Sequence, residues 1–136
     1  MDWKNPATKR KYDQQWRLDH PEQRKESQRK WSKKRPQLRL NKKIIVLTHY
    51  SPEQELQCSW TDCHVTDIDM LTLDHINNDG KKDRRKGLSG TSLYDYLMRN
   101  GFPEGFQTLC ANHQMKKELM RKRNKSGNGE QNGNQE

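Results

Sequence analysis

The stretch "FQTLCANHQMKK", Phe106 to Lys117, changes character at its centre. Its first five residues read as a short strand. From Ala111 the sequence predicts a helix that continues through "ELMRKR", with basic residues loading its C-terminal end, as the helix dipole favours. Where the two meet, Cys110 and His113 stand either side of a two-residue gap. A second close pair, Cys58 and Cys63 around a four-residue gap, lies a domain's length upstream. Two such pairs are the pattern of a closed tetrahedral zinc site, and thiolates with an imidazole suit Zn²⁺. Four protein ligands leave no open position, so this zinc is expected to be structural. His64 follows Cys63 directly and competes with His113 for the fourth place. It ranks lower, because adjacent residues reach one tetrahedral ion poorly.

Composition supports that staple. Of 136 residues only 28% are hydrophobic and 33% are charged, with a net charge of +9. So polar a chain cannot build a large core along its whole length. The three cysteines are an odd count and fit ligation better than disulfides. No apolar run approaches the roughly 20 residues of a membrane span, and "MDWKNPATKRKY" has no signal-like apolar segment. A cytoplasmic protein with no membrane partner is expected. A pI near 9.6 points to a polyanionic partner, with nucleic acid as the default.

Three regions follow along the chain. Residues 1–43 carry fifteen Lys/Arg against five Asp/Glu, a surplus of ten that accounts for essentially the whole net charge of +9. Asn5-Pro6 reads as a helix cap and first residue. That helix is expected to reach about Leu18, with Tyr12 and Trp16 on one face. His20-Pro21 breaks it. A second basic helix should follow until Pro36, and a further helix is expected over about 37–49. Arg10, Arg17, Arg24, Arg29 and Lys30 are candidate phosphate contacts. Trp3, Trp16 and Trp31 between them suit stacking or packing on the main domain. Residues 44–123 read as the folded domain, with a strand in "DMLTLDH" and a helix in "TSLYDYLMRN" ended by Asn100-Gly101. Residues 124–136 read as a disordered tail.

Within the domain, Asp74 and His75 are adjacent at the end of the first strand, before the turn-forming "NNDG". Such a pair is often only a surface pair, but this one lies between the two halves of the zinc site. A carboxylate there can bind a hard divalent cation, and a neutral imidazole can take a proton from water. Lys81, Lys82, Arg84, Arg85 and Lys86 make a basic loop beside it that can grip a phosphate backbone.

On Cys58-x4-Cys63, "DMLTLDHIN" and "GFQTLCANHQMKK", the chain resembles the HNH endonucleases, the ββα-metal nucleases with a zinc knuckle. It is most similar to small phage or mobile-element members with a basic helical extension. The resemblance covers roughly residues 44–117. It implies a small α+β fold whose ββα-metal core is stapled by structural zinc and preceded by basic helices. It implies a metal-dependent DNA endonuclease with His75 as general base and Asp74 as ligand to a catalytic Mg²⁺ or Mn²⁺. Gln114 falls in the slot of the second ligand to that ion, and Lys117 in the basic slot. Two departures stand out. Gln114 replaces the usual Asn or His, and Gly105 occupies the place of the middle asparagine. Asn77, Asn78, Asp79 and Asp83 are the candidates to supply the third member. In another register His113 would bind the catalytic ion and leave three thiolates short of a ligand.

Two rival readings remain: a catalytically inactive, zinc-stabilised nucleic-acid-binding module, and a subunit of a nucleoprotein assembly. RNA is open as an alternative to DNA, and so is the choice between monomer and homodimer.

Overall fold

The computed structural model describes residues 2–127. These residues form a small α+β structure with one two-stranded antiparallel sheet. In order, the elements are α1 (Pro6–Asp19), α2 (Pro21–His49), a 3-10 turn (Pro52–Gln54), β1 (Leu71–His75), α3 (Gly80–Arg85), α4 (Thr91–Arg99), β2 (Phe106–Cys110) and α5 (Ala111–Gly127). The chain divides into two compact units, Met1–Arg39 and Leu40–Glu136.

In the first unit, α1 begins as the sequence predicts. The Asn5 side chain accepts from the Ala7 amide at 2.9 Å, and Pro6 holds the first helical position, where its missing N–H costs nothing. Tyr12 and Trp16 do not pair. Tyr12 meets Trp3 edge-on at 4.8 Å, and Trp16 stacks on His20 at 4.8 Å and 12°. No residue of α1 is buried.

The expected stop at Pro36 is overturned. Helix α2 is continuous from Pro21 to His49, so the separate helix over 37–49 is its last part. A proline inside a helix removes one hydrogen bond, here the one that would reach the Ser32 carbonyl. Ser32 is exposed, so water can take that carbonyl's bond.

In the second unit, the end of α2 is tied by Lys42 to Asp95 at 2.7 Å and by Lys43 Nζ, which donates to the Ile68 carbonyl at 2.7 Å. Two buried clusters flank the sheet. One gathers Leu47, Leu71 and Leu109 with the three cysteines; the other gathers Val46, Leu93 and Leu97. Both are small, so little apolar area is buried in this unit. Strands β1 and β2 pair from Leu71↔Cys110 to His75↔Phe106, with Asp74 opposite Gln107. Helix α5 starts directly after β2 and packs against both strands.

Two further expectations change. The basic "loop" at 81–86 is mostly helix α3, closed by Gly87. Gly87 takes φ +77°, its amide reaches the Arg84 carbonyl, and the Leu88 amide reaches the Asp83 carbonyl. That is a Schellman cap, with Leu88 packed on the Leu93/Leu97 cluster. The tail expected from 124 begins as helix, since α5 runs to Gly127 with Ser126 bonding back to Lys122. Residues 128–136 lie outside the described residues.

Candidate functional site

Cys58, Cys63, Cys110 and His113 come together as the spacing predicts. Their ligand atoms all lie within 4.8 Å of one another. His113 Nδ1 stands 3.7 Å from Cys58 Sγ and 3.2 Å from Cys110 Sγ. A tetrahedral zinc with ordinary bond lengths would separate sulfur and nitrogen by about 3.5 Å, so the four residues fit a metal such as zinc. All three cysteines are buried and free of disulfides. Trp60 stacks on the His113 ring at 4.9 Å and 4°, fixing its plane.

The thiols differ in acidity. Burial pushes Cys58 up to about 11. Burial also acts to raise Cys110, but the His113 and Asn112 amides at the start of α5, with the neighbouring thiols, outweigh it and hold Cys110 below its ordinary value. His64 is exposed, its Nδ1 3.4 Å from Gln57 Nε2, and it stands outside the cluster. His113 faces the thiols, so the register that sends it to a second ion is not the one observed.

Asp74, His75 and Gln114 line one cleft of about 520 Å³ with Lys81, Arg84 and Arg121. They reach it by different routes. Asp74 points to the α5 side of β1. Its Oδ2 accepts from Gln107 Nε2 at 2.8 Å and from Lys117 Nζ at 2.5 Å. Lys117 also donates to the His75 carbonyl at 2.7 Å, so it is engaged inside the unit rather than offered to a phosphate. His75 closes the strand. The chain then turns through Asn78, whose left-handed φ of +57° suits asparagine and whose amide bonds the His75 carbonyl at 3.0 Å.

Asp83 is the residue that answers His75. Its Oδ2 lies 2.8 Å from His75 Nε2, and Phe106 covers the ring at 4.8 Å. Asn77, Asn78 and Asp79 are all exposed, and of the three Asn78 alone lines the cleft. Gly105 supplies only backbone there, its carbonyl accepting from the Ile76 amide at 3.0 Å. The other nitrogen of His75 faces Gly80. A Cβ at that position would stand 3.0 Å from Nδ1. Glycine therefore leaves the space at Nδ1 open.

Gln114 touches Thr72, whose hydroxyl also lies 3.0 Å from the Leu109 carbonyl. One hydroxyl proton cannot serve two acceptors. With that proton on Leu109, a half-turn of the Gln114 amide lets its nitrogen donate to Thr72 and frees its oxygen from that contact.

Glu118 was not singled out in the sequence, although it lies one helical turn beyond Gln114 and lines the same cleft. Its only signal was the four-residue step. A two-pronged hydrogen bond from Arg121, at 2.8 and 2.5 Å, holds its carboxyl down at about 2. Of the other basic candidates, Lys81 and Arg84 line the cleft, and Lys82 and Arg85 stand exposed on α3. Arg10 and Arg17 lie on α1; Arg24, Arg29 and Lys30 lie on α2, with Lys30 paired to Glu26 at 2.8 Å.

Comparison of the chain with protein-family models, curated proteins and solved structures finds no match. Among the described residues, no helix is long and apolar enough to cross a membrane.

Proposed function

We propose that the second unit is a metal-dependent DNA endonuclease of the HNH type that hydrolyses phosphodiester bonds. One observation carries this reading: Asp74, His75 and Gln114 line a single cleft rimmed by Lys81, Arg84 and Arg121, directly beside the cysteine–histidine cluster.

His75 has the geometry of a general base. The Asp83 carboxylate accepts a hydrogen bond from Nε2–H, which favours that tautomer and leaves the Nδ1 lone pair facing the opening beside Gly80. Nδ1 takes the proton of the attacking water. Asp74 and Gln114 would hold Mg²⁺ or Mn²⁺, both being oxygen donors. Such an ion supplies charge neutralisation at the phosphate and a more acidic water. Asp74 already uses Oδ2 for Gln107 and Lys117, so Oδ1 is the oxygen left for an ion. Lys81 and Arg84 position the phosphate, since Arg121 is already engaged by Glu118. The zinc ligands anchor the start of α5, and with it Gln114.

The test is plasmid nicking by wild type and His75→Ala in Mg²⁺, with zinc content measured on both. Nicking by wild type and a loss of at least about a hundredfold in the variant are expected. Equal activity with equal zinc content removes His75 from the base role.

A second reading has one observation in its favour. The Lys117 ammonium sits on Asp74 Oδ2, where it can stand in for a divalent ion. Then the unit is a zinc-stabilised nucleic-acid-binding module that cleaves nothing in any divalent cation. It would still bind DNA with a steep salt dependence.

A further inference from the structure

Helices α1 and α2 form a groove within the first unit. It is lined by Asp13, Trp16 and Arg17 on α1 and by Arg24, Gln28 and Trp31 on α2. The spacings are those of single helix faces: 13, 16, 17 on one side and 24, 28, 31 on the other. The groove is open to solvent and offers about 480 Å³, within the roughly 300–1,000 Å³ that small-molecule sites span. Trp31 is 56% exposed and so carries indole surface that no packing uses. Trp16 is backed by His20, stacked at 4.8 Å, and His20 Nδ1 is in turn 3.0 Å from the Trp16 carbonyl. One indole is thus braced and the other open.

We infer that this groove is a slot for an unpaired nucleobase of single-stranded nucleic acid, separate from the cleft around His75. Three features converge on that occupant. Two indoles offer π faces, on which any base can stack. Two guanidiniums against one carboxylate leave the groove net positive, matched to a phosphate strand. The unit around it holds thirteen Lys/Arg and five Asp/Glu over residues 1–39, so the same charge continues along both helices. A duplex base is already stacked on its neighbours and cannot enter. The slot therefore separates single strands, gaps and flaps from intact duplex, which a purely electrostatic arm does not. It stands independently of whether the second unit cleaves.

The experiment uses the full chain with no added divalent ion. A fluorescently labelled oligothymidylate and a blunt duplex of equal length are titrated in turn, by anisotropy. Trp31→Ala should weaken the single strand about tenfold, in the lower part of the range for one stacked base, and leave the duplex within about twofold. Trp31→Phe should retain most single-strand affinity, since it keeps a π face. Circular dichroism checks that the helices persist in both variants, as expected for an exposed residue. Equal losses on both nucleic acids, or no loss on either, overturn the slot. A wild-type dimer that Trp31→Ala converts to monomer also overturns it, because the groove is then a contact between copies of the chain. Loss of single-strand discrimination leaves plasmid nicking at the other unit intact, so the two readings fail separately.

Discussion

Asp83 reaches back across the turn to place its carboxylate 2.8 Å from His75 Nε2, and both side chains are largely shielded from solvent. The Schellman cap at Gly87 and Leu88 closes α3 just beyond Asp83 and fixes where it points. If His75 Nδ1 is the working nitrogen, Asp83→Asn should slow single-turnover cleavage by roughly 10- to 100-fold, because the amide can present a donor to Nε2 and favour the wrong tautomer. DNA affinity should stay within about twofold. Unaltered turnover in this variant means that the carboxylate only braces α3.

Gly80→Ala isolates access to the imidazole. The added methyl would stand 3.0 Å from His75 Nδ1 and 3.1 Å from Cε1, while Asp83 and Phe106 keep the ring from retreating freely. Backbone strain is not the issue, since Gly80 is an ordinary helical residue. Melting temperature should fall slightly, because the held ring must give way to the methyl and this offsets alanine's preference for helix. Cleavage should fall by at least tenfold. Full activity would place the attacking water elsewhere.

Lys117→Ala strips the largely buried Asp74 carboxylate of its ammonium partner and the His75 carbonyl of a donor. Breaking a pair this shielded should cost roughly 3 kcal/mol. In a thermal melt that is a fall of roughly 10 °C or more. Mg²⁺ should raise the variant's melting temperature more than the wild type's, because an ion at Asp74 replaces the lost charge. Equal Mg²⁺ responses would count against Asp74 as a ligand.

Zinc uptake should release protons. Cys58 is raised to about 11, so near pH 7.5 the metal-free thiol holds its proton and binding must expel it. Affinity therefore weakens as pH falls and strengthens as pH rises toward that value. Calorimetry in two buffers of different ionisation enthalpy measures the release. Cys63→Ser should lower zinc content and destabilise the second unit. A variant that keeps full stability without zinc would remove the metal's structural role.

The cysteine–histidine set and the strand-to-helix switch at Cys110 were legible because each rests on short spacing within one or two elements. Helix α4 was legible from the buried period of Leu93 and Leu97. Asp83 could be named only among four candidates. Its helix has six residues and no buried residue, so no apolar period marks it; Gly87 followed by Leu88 was the usable sign. Pro36 misled for the opposite reason. The local rule against proline is sound, but an exposed carbonyl one turn earlier softens it. The Lys117–Asp74 pair joins residues on different elements, which no local pattern reports.

Cys110 ends β2 and Ala111 begins α5, so strand and helix meet without a spacer. The ladder fixes Cys110 opposite Leu71, and the helix advances about 100° per residue from there. The two elements are geared together. A single-residue insertion between Cys110 and Gln114 would swing Gln114 and Glu118 off the cleft, and Lys117 off Asp74, while leaving the strands paired. The connection through α3 and α4 can lengthen after Leu88 at small entropic cost. Length variation in descendants of this chain should therefore collect on one side of the sheet and be absent at the other.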